Sequence, residues 1–167
     1  MTYVPDPACE VAHGDVRPES GTRTLVAVFA SPVAGFLLSF GAELGFRTLL
    51  LEPDLARAPA GALTSAGPEL DDTADVVVTD HHRGEVGPVL RDILALPVRW
   101  VGVMGNPRHE GPHIKALTEL GVSPEKIAQV HRPVGLNIGS RTPSEIALAT
   151  LAGLLADRNG RPGGFRF

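Results

Sequence analysis

Residues 24–45 read TLVAVFASPVAGFLLSFGAELG and predict a buried strand followed by a helix. The run Leu25 to Phe29 is apolar throughout, as strands are when helices cover both faces of a parallel sheet. From Val33 to Leu44, apolar residues recur at steps of three and four, and Gly45 stands where a helix ends. This pairing of elements is typical of a parallel α/β sheet.

The same alternation of strand and helix continues along the chain. Further strands are predicted at Thr48 to Leu51, Val76 to Thr79, Trp100 to Met104 and Ala128 to His131. One helix is predicted over Arg108 to Leu120 and another from the capping box Thr142, Pro143, Ser144 and Glu145. The segment 53–72 is rich in Ala, Gly and Pro and predicts a long loop, with or without a short helix. We therefore predict an α/β fold, a Rossmann-like open parallel sheet of about five strands with helices on both faces.

The composition is typical of one folded domain. The chain has 167 residues, of which 43% are hydrophobic and 20% charged, and a formal net charge of -4. We predict an extended arm over 1–23, the Rossmann-like domain over 24–158 and a tail over 159–167. The acidic balance argues against a nucleic-acid partner, and the sequence has no apolar run long enough to span a membrane. Cys9 is the single cysteine, so no internal disulfide forms, and we expect a cytoplasmic protein.

The loops after the strands are where an open parallel sheet binds ligands. After the first strand a dinucleotide site would carry GxGxxG, but these glycines are absent, so NAD(P) is not expected. Ser31 and Pro32 instead predict an N-cap and first position of a helix that caps itself. Glu52 ends the second strand, where an acidic residue holds a ribose hydroxyl in a dinucleotide site; the alternative is a solvated strand end.

Histidines follow the third strand and recur within the predicted helix Arg108 to Leu120. Asp80, His81 and His82 predict a polar loop that contacts a ligand. Adjacent histidines of an extended segment point to opposite sides, so no metal site is expected there. His109 and His113 are four residues apart and are interpreted as a solvated helix face. The alternative is that the two side chains bind one side of a metal ion.

The segment His131 to Arg141 is polar and contains two glycines. Gly135 and Gly139 allow an anion-facing nest, and Arg141 can pair with a phosphate or carboxylate. Alternatively, the glycines only shape the turn that packs the last helix. The sequence has no nucleophile motif of the GxSxG or Cys/His kind, so no covalent catalysis is predicted.

Several motifs resemble one known family. Residues 131–146 read HRPVGLNIGSRTPSEI, and supporting matches are Gly45-Phe46-Arg47, Ala74 to Thr79 with the following Asp-His, and Val101 to Gly105. From Leu25 to Leu155 the chain resembles the C-terminal Rossmann-like domain of the XdhC/CoxI family, accessory proteins of xanthine dehydrogenase and related molybdenum hydroxylases.

The resemblance implies a chaperone without catalytic residues of its own. Such a protein would bind the molybdenum cofactor (molybdopterin), a pterin carrying a phosphate, and help deliver its sulfurated form to a hydroxylase such as xanthine dehydrogenase. The predicted cofactor-binding residues are Ser31, Pro32, Glu52, Asp80, His81, Gly105, Asn106, Arg108, Gly135, Asn137, Gly139, Ser140 and Arg141.

Three features differ from the family pattern. Phe29, Ala30 and Ser31 replace its glycine-rich first loop, Asn137 stands where an aspartate is common, and the N-terminal XdhC/CoxI domain is absent from this sequence. A separate protein of that N-terminal type is therefore an expected partner. The sequence leaves open whether the chain also forms a homo-oligomer. The alternative functions are an NAD(P)-binding oxidoreductase domain and a degenerate, non-catalytic Rossmann scaffold.

Overall fold

Five parallel strands form a single sheet. The structure, a computed structural model, describes residues 11–14 and 21–165. The strands are β1 (Thr24–Val28), β2 (Arg47–Leu51), β3 (Ala74–Val78), β4 (Trp100–Val103) and β5 (Val130–His131). Their order in the sheet is β2-β1-β3-β4-β5, and every neighbouring pair is parallel. The chain order therefore reverses between β1 and β3, which is where open α/β sheets form their ligand crevice.

Helices cover both faces of this sheet, which confirms the predicted Rossmann-like architecture. They are α1 (Pro32–Glu43), α2 (Val86–Leu94), α3 (Pro112–Glu119), α4 (Pro124–Ile127) and α5 (Pro143–Arg158). On one face, α1 and α5 pack against each other and bury Leu37, Leu151 and Leu154. On the other, α2 packs against α3 and buries Leu90 and Ile93.

The helices differ from the sequence prediction in two places. The helix expected to begin at Arg108 begins at Pro112, because residues 105–111 form a loop. Helix α2 was not predicted, although Val86, Val89, Leu90 and Ile93 have helical spacing and are buried. The segment 53–72 is a loop without a helix, and Leu63 within it forms a bridge to Leu51 at the edge of the sheet.

The predicted N-terminal arm lies mostly outside the described residues. Residues 11–14 form a turn in which Gly14 N–H donates to the Val11 carbonyl at 3.1 Å. At the other end of the chain, residues 159–165 follow α5. In the described parts of the chain, no helix has the length and apolar character that crossing a membrane requires.

A buried ion cluster fixes the amino end of the sheet. Asp75 is fully buried in β3 and accepts hydrogen bonds from Arg99 and Arg158, each at 2.5 Å. Arg99 also pairs with Asp157 near the end of α5 at 2.8 Å. The cluster lies at the end of β3 opposite to its ligand-facing loop, so its charges stabilise the fold without belonging to the site described next.

Candidate functional site

A cleft of about 600 Å³ opens at the carboxyl ends of β3 and β4. This volume is in the range of small-molecule sites. We call it the strand-end cleft; it is lined by Val33, Thr79, His81, Met104, Gly105, Asn106, Pro107, Val134, Leu136, Asn137, Ile138, Gly139, Ser140, Ile146, Ala149 and Thr150. It therefore lies beside the point where the strand order reverses, as expected for this sheet.

One wall of the strand-end cleft is the segment between β5 and α5. Gly135 has a φ of +86°, and a Cβ there would lie 2.9 Å from the backbone of Ala149. Leu136 N–H donates to the Ala149 carbonyl at 3.0 Å, which holds the segment against α5. Gly139 also has a positive φ, of +67°, but its Cβ position is open and the residue lines the cleft. Gly135 therefore serves packing, whereas Gly139 faces the place a ligand would take.

The start of α5 satisfies its own backbone groups. Thr142 Oγ1 accepts from Glu145 N–H at 3.2 Å, and Glu145 Oε2 accepts from Thr142 N–H at 3.3 Å, which confirms the predicted capping box. The same carboxylate accepts the Arg141 N–H at 2.5 Å. The side chain of Arg141 is exposed and does not line the strand-end cleft.

The loop after β1 also caps itself. Ser31 Oγ accepts from Ala34 N–H at 3.1 Å and lies 2.9 Å from Thr79 Oγ1, so the hydroxyl is used within the fold. Pro32 occupies the first turn of α1, and neither residue lines the strand-end cleft. Phe29 has a φ of +73°, in the left-handed region that favours glycine, although its ring is fully buried. The backbone of this loop thus keeps a glycine-like turn without a glycine.

Glu52 is neither a solvated strand end nor part of the cleft lining. Its carboxylate is fully buried and accepts from Ala30 N–H at 2.9 Å and Asp54 N–H at 3.0 Å. Arg83 donates to both oxygens, at 2.8 and 3.0 Å. Burial alone would raise the pKa of Glu52, but the hydrogen bonds from Arg83, Ala30 and Asp54 outweigh it and lower that pKa to about 2.

The loop after β3 brings two histidine rings together. His81 lines the cleft, and its ring centroid lies 4.1 Å from that of His82, so the two side chains do not point to opposite sides as expected. Burial, with the charges of His82 and Arg132, lowers the pKa of His81. The Asp80 side chain bonds within its own loop, where its Oδ1 accepts from His82 N–H at 3.0 Å. Among the described residues no group of three or more His, Cys, Asp or Glu could hold a metal ion.

His109 and His113 do not form a solvated helix face. His109 precedes α3, and His113 is buried with 3% of its surface exposed and no hydrogen-bond partner at Nδ1. Burial, and then the charge of Arg132, lower the pKa of His113. The interpretation as a solvated face was wrong because the helix begins four residues later than predicted and turns His113 inward.

Arg132 does not line the strand-end cleft but holds one of the loops that do, a role that the sequence did not predict. Its Nη1 donates to the His109 carbonyl at 2.6 Å and its Nη2 to the Asn106 carbonyl at 3.1 Å, so it fastens the loop after β4 to the end of β5. A Cβ on Gly105 would lie 2.4 Å from Arg132 Nη2, so a side chain at position 105 would displace the guanidinium from this place. The signal available was its place within the motif HRPVG.

The structure brings one part of the predicted site together and leaves the other outside. The predicted residues that line the strand-end cleft are His81, Gly105, Asn106, Asn137, Gly139 and Ser140. Those that do not line it are Ser31, Pro32, Glu52, Asp80, Arg108, Gly135 and Arg141. The cleft is therefore built from the loops after β3, β4 and β5 more than from the loop after β1.

Known proteins resemble this chain along most of its length. The family model for the XdhC Rossmann domain matches residues 25–154. The uncharacterized protein YqeB of Escherichia coli (strain K12) is 34% identical over 115 residues, which are 69% of this chain and 21% of YqeB. A crystal structure described as a xanthine dehydrogenase from Bacillus halodurans has a similar fold, with a TM-score of 0.64 and 21% identity over 85% of this chain and 44% of that one.

The chain thus corresponds to a part of each of these relatives. It spans about a fifth of YqeB and less than half of the Bacillus halodurans chain. The family match begins at the second residue of β1 and ends near the last turn of α5, so it includes every strand and every loop that lines the cleft. By this match, the chain belongs to the XdhC Rossmann domain family.

Proposed function

We propose that this chain binds the molybdenum cofactor and acts as an accessory protein in the maturation of a molybdenum hydroxylase of the xanthine dehydrogenase type. Two findings support the hydroxylase context: the family membership and the similar fold of a protein described as a xanthine dehydrogenase. The observation that carries the proposal is the wall Val134 to Ser140, because the family's signature segment lines the cleft at the ligand-binding edge of the sheet.

The strand-end cleft has the chemistry that the ring system of a pterin needs. Met104, Leu136 and Ile146 supply apolar surface for a flat ring system, while Asn137 and Ser140 offer amide and hydroxyl groups for its polar edge. The lining contains no carboxylate, so an anionic ligand meets no repulsion from it. The residues present therefore fit the group.

The chain's own contribution is binding and orientation. The cofactor supplies the molybdenum chemistry of the hydroxylase that receives it. Asn137 and Ser140 would orient the ring by hydrogen bonds, and the apolar side chains would exclude water from its faces. The function that follows is storage and transfer of the cofactor, with no covalent step assigned to this chain.

Anaerobic binding of the molybdenum cofactor to the purified chain tests the proposal. We expect saturable binding, which Asn137→Ala and Ser140→Ala each weaken by about 2-fold to 10-fold, as the loss of one hydrogen bond does. The matched control is Ser39→Ala, an exposed serine on α1 outside the cleft. Absence of binding by the wild-type chain would overturn the proposal.

Two further measurements separate the proposed function from its alternatives. Calorimetry with NAD and NADP should show no binding, because Glu52 is engaged by Arg83 and the first loop is capped by Ser31. A hydroxylase maturation assay should respond to the chain, alone or with a protein of the N-terminal XdhC/CoxI type. Micromolar NAD binding would favour an oxidoreductase, and cofactor binding without an effect on maturation would contradict the accessory role.

A further inference from the structure

A second, polar cavity adjoins the strand-end cleft. Its volume is about 690 Å³, and we call it the histidine cavity; its ionisable lining residues are His81, His82, Arg83, His109, Glu110 and Arg132. His81 and Asn106 line both cavities, so the two share a wall. A ligand longer than the strand-end cleft can therefore continue into the histidine cavity.

The two arginines of the histidine cavity differ in how their charge is balanced. Arg83 pairs with Glu52 at 2.8 Å and with Glu85 at 2.9 Å, so carboxylates neutralise it. Arg132 donates only to the carbonyls of His109 and Asn106, which accept hydrogen bonds without cancelling a charge. Within 21–165 and 11–14 it forms no ion pair, and its buried Nε has no partner.

The position of the Arg132 guanidinium is fixed before any ligand arrives. The guanidinium lies in the space that a Cβ on Gly105 would take, 2.4 Å from Nη2, and a Cβ on Gly111 would lie 3.1 Å from Arg132 Cδ. Together with the carbonyl of His109, these contacts hold the side chain along one path. A preorganised cation loses little side-chain entropy on binding an anion.

Glu110 is the one carboxylate that lines the histidine cavity. It is exposed, so water and salt screen its charge. Arg132 is half-buried, where screening is weaker, and His82 and His109 add ring N–H donors beside it. The balance favours a small, multiply charged anion that can accept several hydrogen bonds. A phosphomonoester, with a charge of about -1.5 to -2 near neutral pH, has this character.

We propose that the histidine cavity is the subsite for the phosphomonoester of a ligand whose ring occupies the strand-end cleft. The inference rests on the proposed function, since one phosphorylated pterin would fill both cavities. It assigns the phosphate to Arg132, His82 and His109 and away from Arg141, which the sequence favoured and which lies outside the cleft lining.

Calorimetric titration with inorganic phosphate tests the subsite without the cofactor. We expect wild type and the exposed-arginine control Arg141→Gln to bind phosphate alike, whereas Arg132→Gln weakens binding by about 10-fold or more, as the loss of a charge-assisted contact does. If Arg132→Gln unfolds, His82→Ala and His109→Ala decide, each with an expected loss of about 3-fold or more. Unchanged phosphate binding in both histidine variants, or its loss in Arg141→Gln, would overturn the inference.

Titration with the molybdenum cofactor and with AMP separates the two proposals. The cofactor should bind more tightly than AMP, and the histidine variants should weaken both. If the cofactor binds but the variants leave its affinity unchanged, the subsite is wrong and the proposed function stands. If phosphate binding follows the variants but the cofactor does not bind, the subsite stands and the proposed function fails. Tighter binding of AMP than of the cofactor would overturn the assignment to a pterin ligand.

Discussion

The Arg83 guanidinium donates to both carboxylate oxygens of Glu52, with Nη2–Oε1 at 2.8 Å and Nη1–Oε2 at 3.0 Å. Glu52 follows β2 and Arg83 follows β3, and the same carboxylate accepts the N–H of Ala30, which follows β1. One buried carboxylate therefore ties together the loops that end three adjacent strands. This is why the acidic residue at the end of β2 stabilises the ligand-facing edge of the sheet instead of meeting the ligand.

Glu52→Gln should destabilise the fold strongly. The amide removes the negative charge that Arg83 faces and leaves one oxygen to accept from Ala30 and Asp54 N–H. Breaking a buried ion pair on one side costs about 3 kcal/mol, and we expect a loss of that size in the free energy of unfolding from urea denaturation.

A matched substitution at an exposed pair provides the control. Arg91 pairs with Asp92 at 2.8 Å, but both side chains are about half exposed. Arg91→Gln should change the free energy of unfolding by less than about 0.5 kcal/mol. Equal effects of the two substitutions would show that the Glu52 pair contributes no more than a surface contact.

The same ion pair predicts how stability depends on acid. The pKa of Glu52 is lowered from 4.5 to about 2 in the folded chain, so the unfolded chain binds a proton first as the pH falls. The stabilisation is complete above about pH 4.5 and is lost as the pH falls towards 2. Hydrogen bonding to Arg83 also lowers the pKa of Glu85, which acts in the same direction. Urea midpoints should therefore decline over this interval in wild type.

Glu52→Gln isolates the contribution of Glu52 to the acid response. The variant begins less stable, but its free energy of unfolding should decline less than that of wild type between about pH 5 and about pH 3. Parallel declines in the two proteins would mean that other carboxylates carry the acid sensitivity.

The architecture could be predicted from the sequence because the buried strands are apolar along nearly their whole length. Helix α5 was also predictable, since Thr142 and Glu145 form a capping box that needs only neighbouring residues. Helix α2 was missed because Glu85 at its start makes no side-chain cap hydrogen bond, although Leu90 and Ile93 show its buried face. A capping signal beside the hydrophobic spacing thus made α5 easier to predict than α2.

The loops that form the candidate site could be predicted from the sequence, but the directions of their side chains could not. Of the predicted segment His131 to Arg141, Val134 and the residues from Leu136 to Ser140 do line the cleft, yet the chain order cannot tell which way each side chain turns. Glu52 turns inward to Arg83, the side chain of Arg141 is exposed, and Arg132 turns towards the loop after β4. These directions depend on contacts between distant residues, which one sequence does not display.

At position 29, glycine should give a more stable protein than alanine, the reverse of the usual order. Loss of its buried ring, which lies 4.6 Å from the Arg83 guanidinium, should cost about 3 kcal/mol or more in either variant. The φ of +73° strains any residue with a Cβ, so Phe29→Gly should be about 1 kcal/mol more stable than Phe29→Ala. Thermal and urea unfolding of the two variants measure the difference.

Phe46 is the control position, where the usual order of alanine and glycine should hold. It is also buried, but its φ is not positive, so Phe46→Ala should be more stable than Phe46→Gly by about 0.5 to 1 kcal/mol. If alanine is the better residue at both positions, the left-handed backbone at Phe29 is not a source of strain.

Gly153→Ala should weaken both the fold and the cleft. A Cβ on Gly153 of α5 would lie 2.8 Å from the Cα of Gly135, and a backbone atom cannot move aside as a flexible side chain can. The segment from Val134 to Ser140 must then shift, at a cost of about 1 to 3 kcal/mol typical of overpacking. Because this segment lines the cleft, molybdenum cofactor binding should fall together with the midpoint of thermal unfolding.

Gly35→Ala on α1 is the matched substitution, because nothing lies within 4 Å of its Cβ position. Replacing a glycine inside a helix by alanine raises the free energy of unfolding by about 0.5 to 1 kcal/mol when the space is open. We therefore expect opposite changes in stability from the same chemical substitution in the two helices that pack on one face of the sheet. A Gly153→Ala protein as stable as wild type would show that the wall can move away from α5 without cost, and unchanged cofactor affinity in that protein would separate the wall from the ligand site.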